Sequence, residues 1–136
     1  MASTIRAKDI IKIAENTTGT YLMGGAGPNQ WDCSGFVGHC VGAPFGTRYF
    51  ATKSEGDWLS SHGFTDMRHA VNFSTGAGMK KGDILVWNKP KSDGLYANGH
   101  TEIYWGDGTT WGASGPKGGP CGAARGARPV SYTPWQ

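Results

Sequence analysis

At 136 residues the chain is long enough to bury most of its apolar surface around one core and short for two, so we expect a single domain over residues 1–136. A composition of 38% hydrophobic, 12% aromatic and 17% charged residues excludes a disordered or coiled-coil chain. The formal charge of +3 is scattered, with no basic stripe interleaved with aromatics, which argues against nucleic acid as a partner.

The first residues, MASTIRAKDI, lack the apolar centre of a secretion signal, and no run approaches the ~20 apolar residues that cross a bilayer. We therefore expect synthesis in the cytoplasm and no membrane insertion. The 23 glycines imply tight turns and close backbone approaches, and the six tryptophans suit a lined groove as readily as a packed core. Three cysteines lack the spacing of a zinc site or a disulfide framework. Cys33 and Cys40, if on one helix, stand about 10.5 Å apart along its axis, beyond the reach of a disulfide.

In chain order, residues 3–16 read as a helix, capped by Ser3 or Thr4 and striped by Ile5, Ile10, Ile13 and Ala14. From Gly19 to Gln30 the glycines and Pro28 predict a loop. Phe36, Val37, Cys40 and Val41 then recur at helical spacing, placing Cys33 at a helix N-terminus. Further helices are expected near SEGDWLSSHG and near TDMRHAVNF. Ile84 to Trp87 read as a buried strand after the turn KKGD, and a loop follows to Gly99. HTEIYWGDGTTWGAS reads as a hairpin turning at Gly106 to Gly108, and Val130 to Tyr132 as an edge strand.

The chemistry-bearing residues are Cys33 and His100. Unpaired amides and the dipole at a helix N-terminus stabilise a thiolate, and the small neighbours Ser34 and Gly35 admit a substrate backbone. A buried, inert cysteine is the alternative for Cys33 considered alone. His100 opens a predicted strand and can take the thiol proton, and Glu102, two places on and on the same face, can fix its tautomer. A solvent-facing strand carboxylate is the other reading of Glu102. Asp107, Ser114 and Asn98 are further candidates for that third position. His39 lies on the opposite side of the Cys33 helix, and His62 and His69 fall in stretches expected to be exposed. Cys121, among glycines and prolines, reads as incidental, and no ligand cluster implies a metal or other cofactor.

Four ordered segments, YLMGG (21 to 25), DCSGFV (32 to 37), KKGDILVW (80 to 87) and GHTEIYWGDG (99 to 108), resemble the NlpC-type cell-wall cysteine peptidases, relatives of the CHAP amidases and more distantly of papain. The resemblance implies an α+β, papain-like fold, with an N-terminal nucleophile helix packed on a small antiparallel β-sheet that carries the histidine. It implies a peptidoglycan hydrolase that cleaves an amide of the stem peptide, as endopeptidase or N-acetylmuramoyl-L-alanine amidase. Tyr21 then looks like the tyrosine that shapes the substrate pocket and oxyanion site, Asp32 and Ser34 like residues that contact the stem peptide, and Trp31 like a wall of the groove or a core residue. Relatives usually carry a second polar residue about twelve positions after the histidine, and here that position is Gly112. The chain also suits a phage endolysin catalytic domain parted from a wall-binding module and released by holin-type lysis. A secreted interbacterial toxin with an immunity protein suits it as well. An inactive peptidoglycan-binding domain of the same fold is the alternative from another class, and an acyltransferase ranks behind it.

Overall fold

Two isoleucines decide where the first helix begins. In the computed structural model, which describes residues 5–17, 20–21, 30–42, 52–67, 71–72, 76–87, 100–112, 119–120 and 130–134 (the backbone alone for 20, 21, 52–54, 87, 100, 119, 120, 130 and 131), α1 spans Ala7–Glu15. Arg6 is its N-cap, and the Arg6 N–H donates to Asp9 Oδ2 at 3.3 Å. Ile5, just before the cap, and Ile10, at the fourth helical position, are buried in one cluster and clamp the entering chain. The helix is thus shorter than the 3–16 expected, and its cap is neither Ser3 nor Thr4, both outside the described residues. Its far end is closed by side chains, Thr17 Oγ1 donating to the Ile13 carbonyl at 2.7 Å and Asn16 Nδ2 to that of Lys12 at 2.9 Å.

The segment expected as a pure loop carries a short parallel pair, β1 (Thr20–Tyr21) with β2 (Gln30–Trp31), in register Thr20 to Gln30 and Tyr21 to Trp31. A two-residue pair has no periodicity to read, and the glycines between its strands signal only a loop. Next come α2 (Cys33–Gly42) and α3 (Thr52–Ser61), the latter close to the helix expected near SEGDWLSSHG.

The helix expected near TDMRHAVNF is corrected: Thr65–Asp66 form β3, and Asn72 makes an antiparallel bridge with Ala77. β3 pairs with β8 (Val130–Thr133), whose backbone groups hold this short segment extended against its local composition. A second correction concerns β8 itself. It is not an edge strand, because the sheet runs β3-β8-β4-β5-β6-β7, with β4 at Ile84–Trp87, β5 at His100–Gly106, β6 at Thr109–Trp111 and β7 at Gly119–Pro120. All its pairings are antiparallel. The β5–β6 hairpin turns through Asp107 and Gly108, both at positive φ (54° and 74°), as a two-residue Asp-Gly loop requires.

The β4–β5 register sorts the sheet into two faces. Ile84 opposes Ile103 and Val86 opposes Thr101 on the face covered by helices, where Ile10, Val37, Cys40, Val41 and Leu59 complete the main core. Leu85 opposes Glu102 on the other face, where Leu85 and Tyr104 form a smaller cluster with Val71 and Met79 packed against it. The fold is α+β, with three helices and this small antiparallel sheet among the described residues, and no described helix is long and apolar enough to cross a membrane.

One acidic side chain lies inside the main core. Glu55 of α3 is 0% exposed, and burial raises its carboxyl well above the ordinary glutamate value, against a smaller lowering by its hydrogen bond with Thr101. The Thr101 hydroxyl has one hydrogen and two oxygens within reach, Glu55 Oε2 at 2.7 Å and the Leu85 carbonyl at 2.9 Å. A protonated Glu55 satisfies both contacts, donating to Thr101 Oγ1 while Thr101 donates to Leu85. Among the described residues Glu55 Oε1 has no hydrogen-bond partner, which a neutral acid tolerates far better than a carboxylate. The native state therefore holds a proton that the unfolded chain loses above the ordinary value of 4.5. That contribution is complete below 4.5 and fades as pH rises from there towards the raised native value, at about 1.4 kcal/mol per pH unit. Glu55→Gln, whose amide can donate to Thr101, is expected to be more stable than wild type near neutral pH, with the difference vanishing in mild acid. Urea titrations of both proteins across that range measure it, and a constant difference at every pH would reject a protonated Glu55.

Candidate active site

A buried helix cannot expose its termini unless something fixes its start. In α2 all residues are buried except Cys33 and His39, which keep partial exposure. Asp32 supplies the start. Its Oδ1 accepts the Gly35 N–H at 2.6 Å and the Ser34 hydroxyl at 3.4 Å, and its carbonyl accepts the Phe36 N–H at 3.0 Å. Asp32 is thus the N-cap and Gly35 the third helical residue, the standard geometry of a side-chain cap. Cys33 becomes the first helical residue, a thiol at the positive end of a ten-residue helix.

The neighbours of Cys33 are more buried than a substrate-facing role alone would require. Asp32 is 5% and Ser34 4% exposed, and they are bonded to each other. Trp31 belongs to the main core, edge-on to Phe36 with ring centroids 6.4 Å apart and tilted on His39 at 4.8 Å. The backbone of Tyr21 pairs with that of Trp31, two residues before Cys33, so the parallel pair joins the YLMGG and DCSGFV segments; the Tyr21 side chain lies outside the described residues.

The other half of the site is on β5, against which α2 packs. His100 is the first residue of β5 and pairs with Trp87 of β4; its side chain lies outside the described residues. Glu102, on the strand face that also carries Leu85 and Tyr104, is 7% exposed and is no solvent-facing carboxylate. The Thr110 hydroxyl of β6 donates to Glu102 Oε1. Gly112 lies under the same side chain, since a Cβ there would stand 2.7 Å from Glu102 Cγ.

Other candidates are placed elsewhere. Asp107 is exposed at the tip of the β5–β6 hairpin, at the opposite end of β5 from His100. Burial lowers the pKa of the His39 imidazole, which lies tilted against Trp31. The His62 ring stacks on Trp58 at 3.9 Å, with Nδ1 2.7 Å from the Trp58 carbonyl, which can only accept, so Nδ1 is the donor there and closes α3. Cys40 is buried, and desolvation raises its thiol far above the ordinary range. His69, Asn98, Ser114 and Cys121 lie outside the described residues. Among the described residues, no three acidic, histidine or cysteine side chains group as metal ligands.

No family model matches the chain, and no curated protein matches its sequence. Solved structures do match. NlpC2 from Trichomonas vaginalis superposes with a TM-score of 0.64 at 18% identity, over 99% of this chain and 48% of that one. The Tae3 chain in the type VI native effector–immunity complex Tae3-Tai3 from Ralstonia pickettii superposes with a TM-score of 0.61 at 18% identity, over 97% of this chain and 100% of that one. The chain has an NlpC-type, papain-like fold. NlpC1 from Trichomonas vaginalis agrees, with a TM-score of 0.56 at 18% identity over 95% of this chain and 39% of that one. The chain thus spans about half the length of NlpC2 and the full length of the effector.

The cap can be tested apart from any chemistry. Asp32→Ala removes the acceptor for the Gly35 amide and is expected to lower stability by about 1 kcal/mol, whereas Asp32→Asn keeps an acceptor and stays near wild type. Denaturant midpoints at constant slope measure both, and an unchanged Asp32→Ala midpoint would remove Asp32 from the cap.

Proposed function

We propose that the chain is a peptidoglycan hydrolase that cleaves an amide bond of the stem peptide, with Cys33 as nucleophile, His100 as general base and Glu102 as the group that orients the imidazole. The observation that carries this reading is a thiol at the start of a largely buried helix, packed on the strand that His100 opens, in an NlpC-type fold. α2 covers the Thr101 and Ile103 face of β5, so the sulfur and the imidazole meet round the end of the strand, where His100 stands.

The steps follow from these positions. The imidazole of His100 takes the Cys33 proton, and the positive end of α2 favours the resulting thiolate. Sulfur attacks the amide carbonyl carbon, forming a C–S bond and a tetrahedral oxyanion that the helix start and the Tyr21 hydroxyl stabilise. Collapse breaks the C–N bond as the imidazolium returns its proton to the leaving amine. Water, deprotonated by the same imidazole, then cleaves the thioester, releasing a carboxylate and restoring the thiol. Glu102 accepts from the other imidazole nitrogen, holding the tautomer that this sequence needs.

Asp32 and Ser34 act here chiefly by fixing the first turn of α2, and any contact they make with the stem peptide is made from a buried position. The burial of Trp31 favours a core role over a groove wall. Delivery to the wall, by lysis or by a secretion apparatus, belongs to the same proposal. So does pairing with an immunity protein, a reading favoured by the near full-length likeness to an effector crystallised with one.

Purified protein incubated with insoluble peptidoglycan is expected to release soluble fragments bearing new amines. Cys33→Ala and His100→Ala should abolish release, Glu102→Gln should slow it roughly 100-fold or more, and Cys121→Ser should leave it nearly intact. Co-sedimentation without release by the wild type would instead favour an inactive wall-binding domain.

A further inference from the structure

We propose that Thr110 and Gly112 of the β6 segment are positioning residues for Glu102, one through a hydrogen bond and the other through the side chain it lacks. The inference rests on the reading above, in which Glu102 orients His100.

A carboxylate that is 7% exposed has few orientations open to it, and the cost of burial falls only when its oxygens are bonded. Thr110, itself 2% exposed, donates its hydroxyl to Oε1 and so fixes one oxygen of Glu102. Its β-branched side chain has few rotamers, which makes the hydroxyl a rigid donor. Tyr104 and Thr110 are opposed in the β5–β6 register, so the donor is held diagonal to position 102 by the ladder itself.

Gly112 does the complementary work. A Cβ at this position would stand 2.7 Å from Cγ, 3.3 Å from Cβ and 3.3 Å from Cδ of Glu102. The nearest of these is closer than carbon atoms approach, and it belongs to the stem of the side chain rather than its mobile end. Any other residue at 112 therefore displaces the carboxylate from the place where Thr110 meets it. Positions 100 and 102 share a face of β5 by strand alternation, so the alignment set from β6 is the alignment offered to the residue that opens β5.

The test uses variants Gly112→Ala, Thr110→Val and Thr110→Ser, with Glu102→Gln as reference. Titration of the His100 ring by NMR in a Cys33→Ala background, where the imidazole titrates alone, reads the carboxylate's alignment without any substrate. Both Gly112→Ala and Thr110→Val should lower the His100 titration midpoint in the direction of Glu102→Gln, by about half a unit or more, while Thr110→Ser matches the parent. With Cys33 intact, fragment release should fall about 10-fold to 100-fold in the first two and be retained in Thr110→Ser. Because Gly112→Ala alone can destabilise the hairpin, Glu102→Ala with and without Gly112→Ala provides a second measurement. With Cγ and Cδ gone and only Cβ left at 3.3 Å, the added methyl should cost little thermal stability. Unmoved His100 midpoints in both Gly112→Ala and Thr110→Val, or a full extra loss of stability in the double variant, would overturn the proposal even if the wild type releases fragments. Shifted midpoints in a wild type that releases nothing would uphold it and sink the peptidoglycan reading instead.

Discussion

The bond from the Gly35 amide to the Asp32 carboxylate sets the phase of α2, and much else is fixed by that phase. Successive residues of a helix point about 100° apart, so a start displaced by one residue would rotate every side chain away from its partner in the core. Phe36, Val37, Cys40 and Val41 are all packed in one cluster, and such a helix tolerates no rotation. The cap and the core thus agree on a single setting, and in that setting the residue left at the boundary with solvent is a cysteine.

The sheet makes a comparable choice. Opposed pairs on β4 and β5 put Ile84, Val86, Thr101 and Ile103 under the helices and leave Leu85, Glu102 and Tyr104 on the far face. A slip of one residue would exchange the two sets and bury Glu102 in the main core. That core already contains one acid, Glu55, accommodated through the Thr101 hydroxyl, and Thr101 is the strand neighbour of both His100 and Glu102. One strand therefore meets two carboxyl groups on opposite faces, one whose hold on its proton is strengthened by burial and one bonded across the sheet by Thr110.

Strong local patterns were legible in the sequence. The four-residue apolar run Ile84 to Trp87 is the strand β4, and the Asp-Gly pair of the hairpin turns where two positive-φ residues are needed. The start of α2 at Cys33 is legible from apolar spacing, whereas Asp32, the acceptor that enforces it, shows in the sequence only a likeness to a substrate contact. What could not be read depended on partners distant in sequence. Thr65–Asp66 become a strand because β8 lies beside them, and Val130–Thr133 lie inside the sheet because two separate segments need an edge to pair with. Glu55 gave no signal, since a glutamate in a short helix ordinarily faces water. Gly112 was visible as a departure from the polar residue that relatives place there, and its physical reason, the stem of Glu102 lying over it, needed three dimensions.

The placement of β8 bears on how the chain is made. Thr133 is opposed to Thr65 and Tyr132 to Ile84, so the middle of the sheet joins segments far apart along the polypeptide. A ribosome must deliver residue 133 before β3 has a neighbour, and until then one flank of β4 is an open ladder that any extended peptide can join. Nascent chains would spend that interval in need of protection, and closure of the last strand would complete the scaffold in a late, cooperative step.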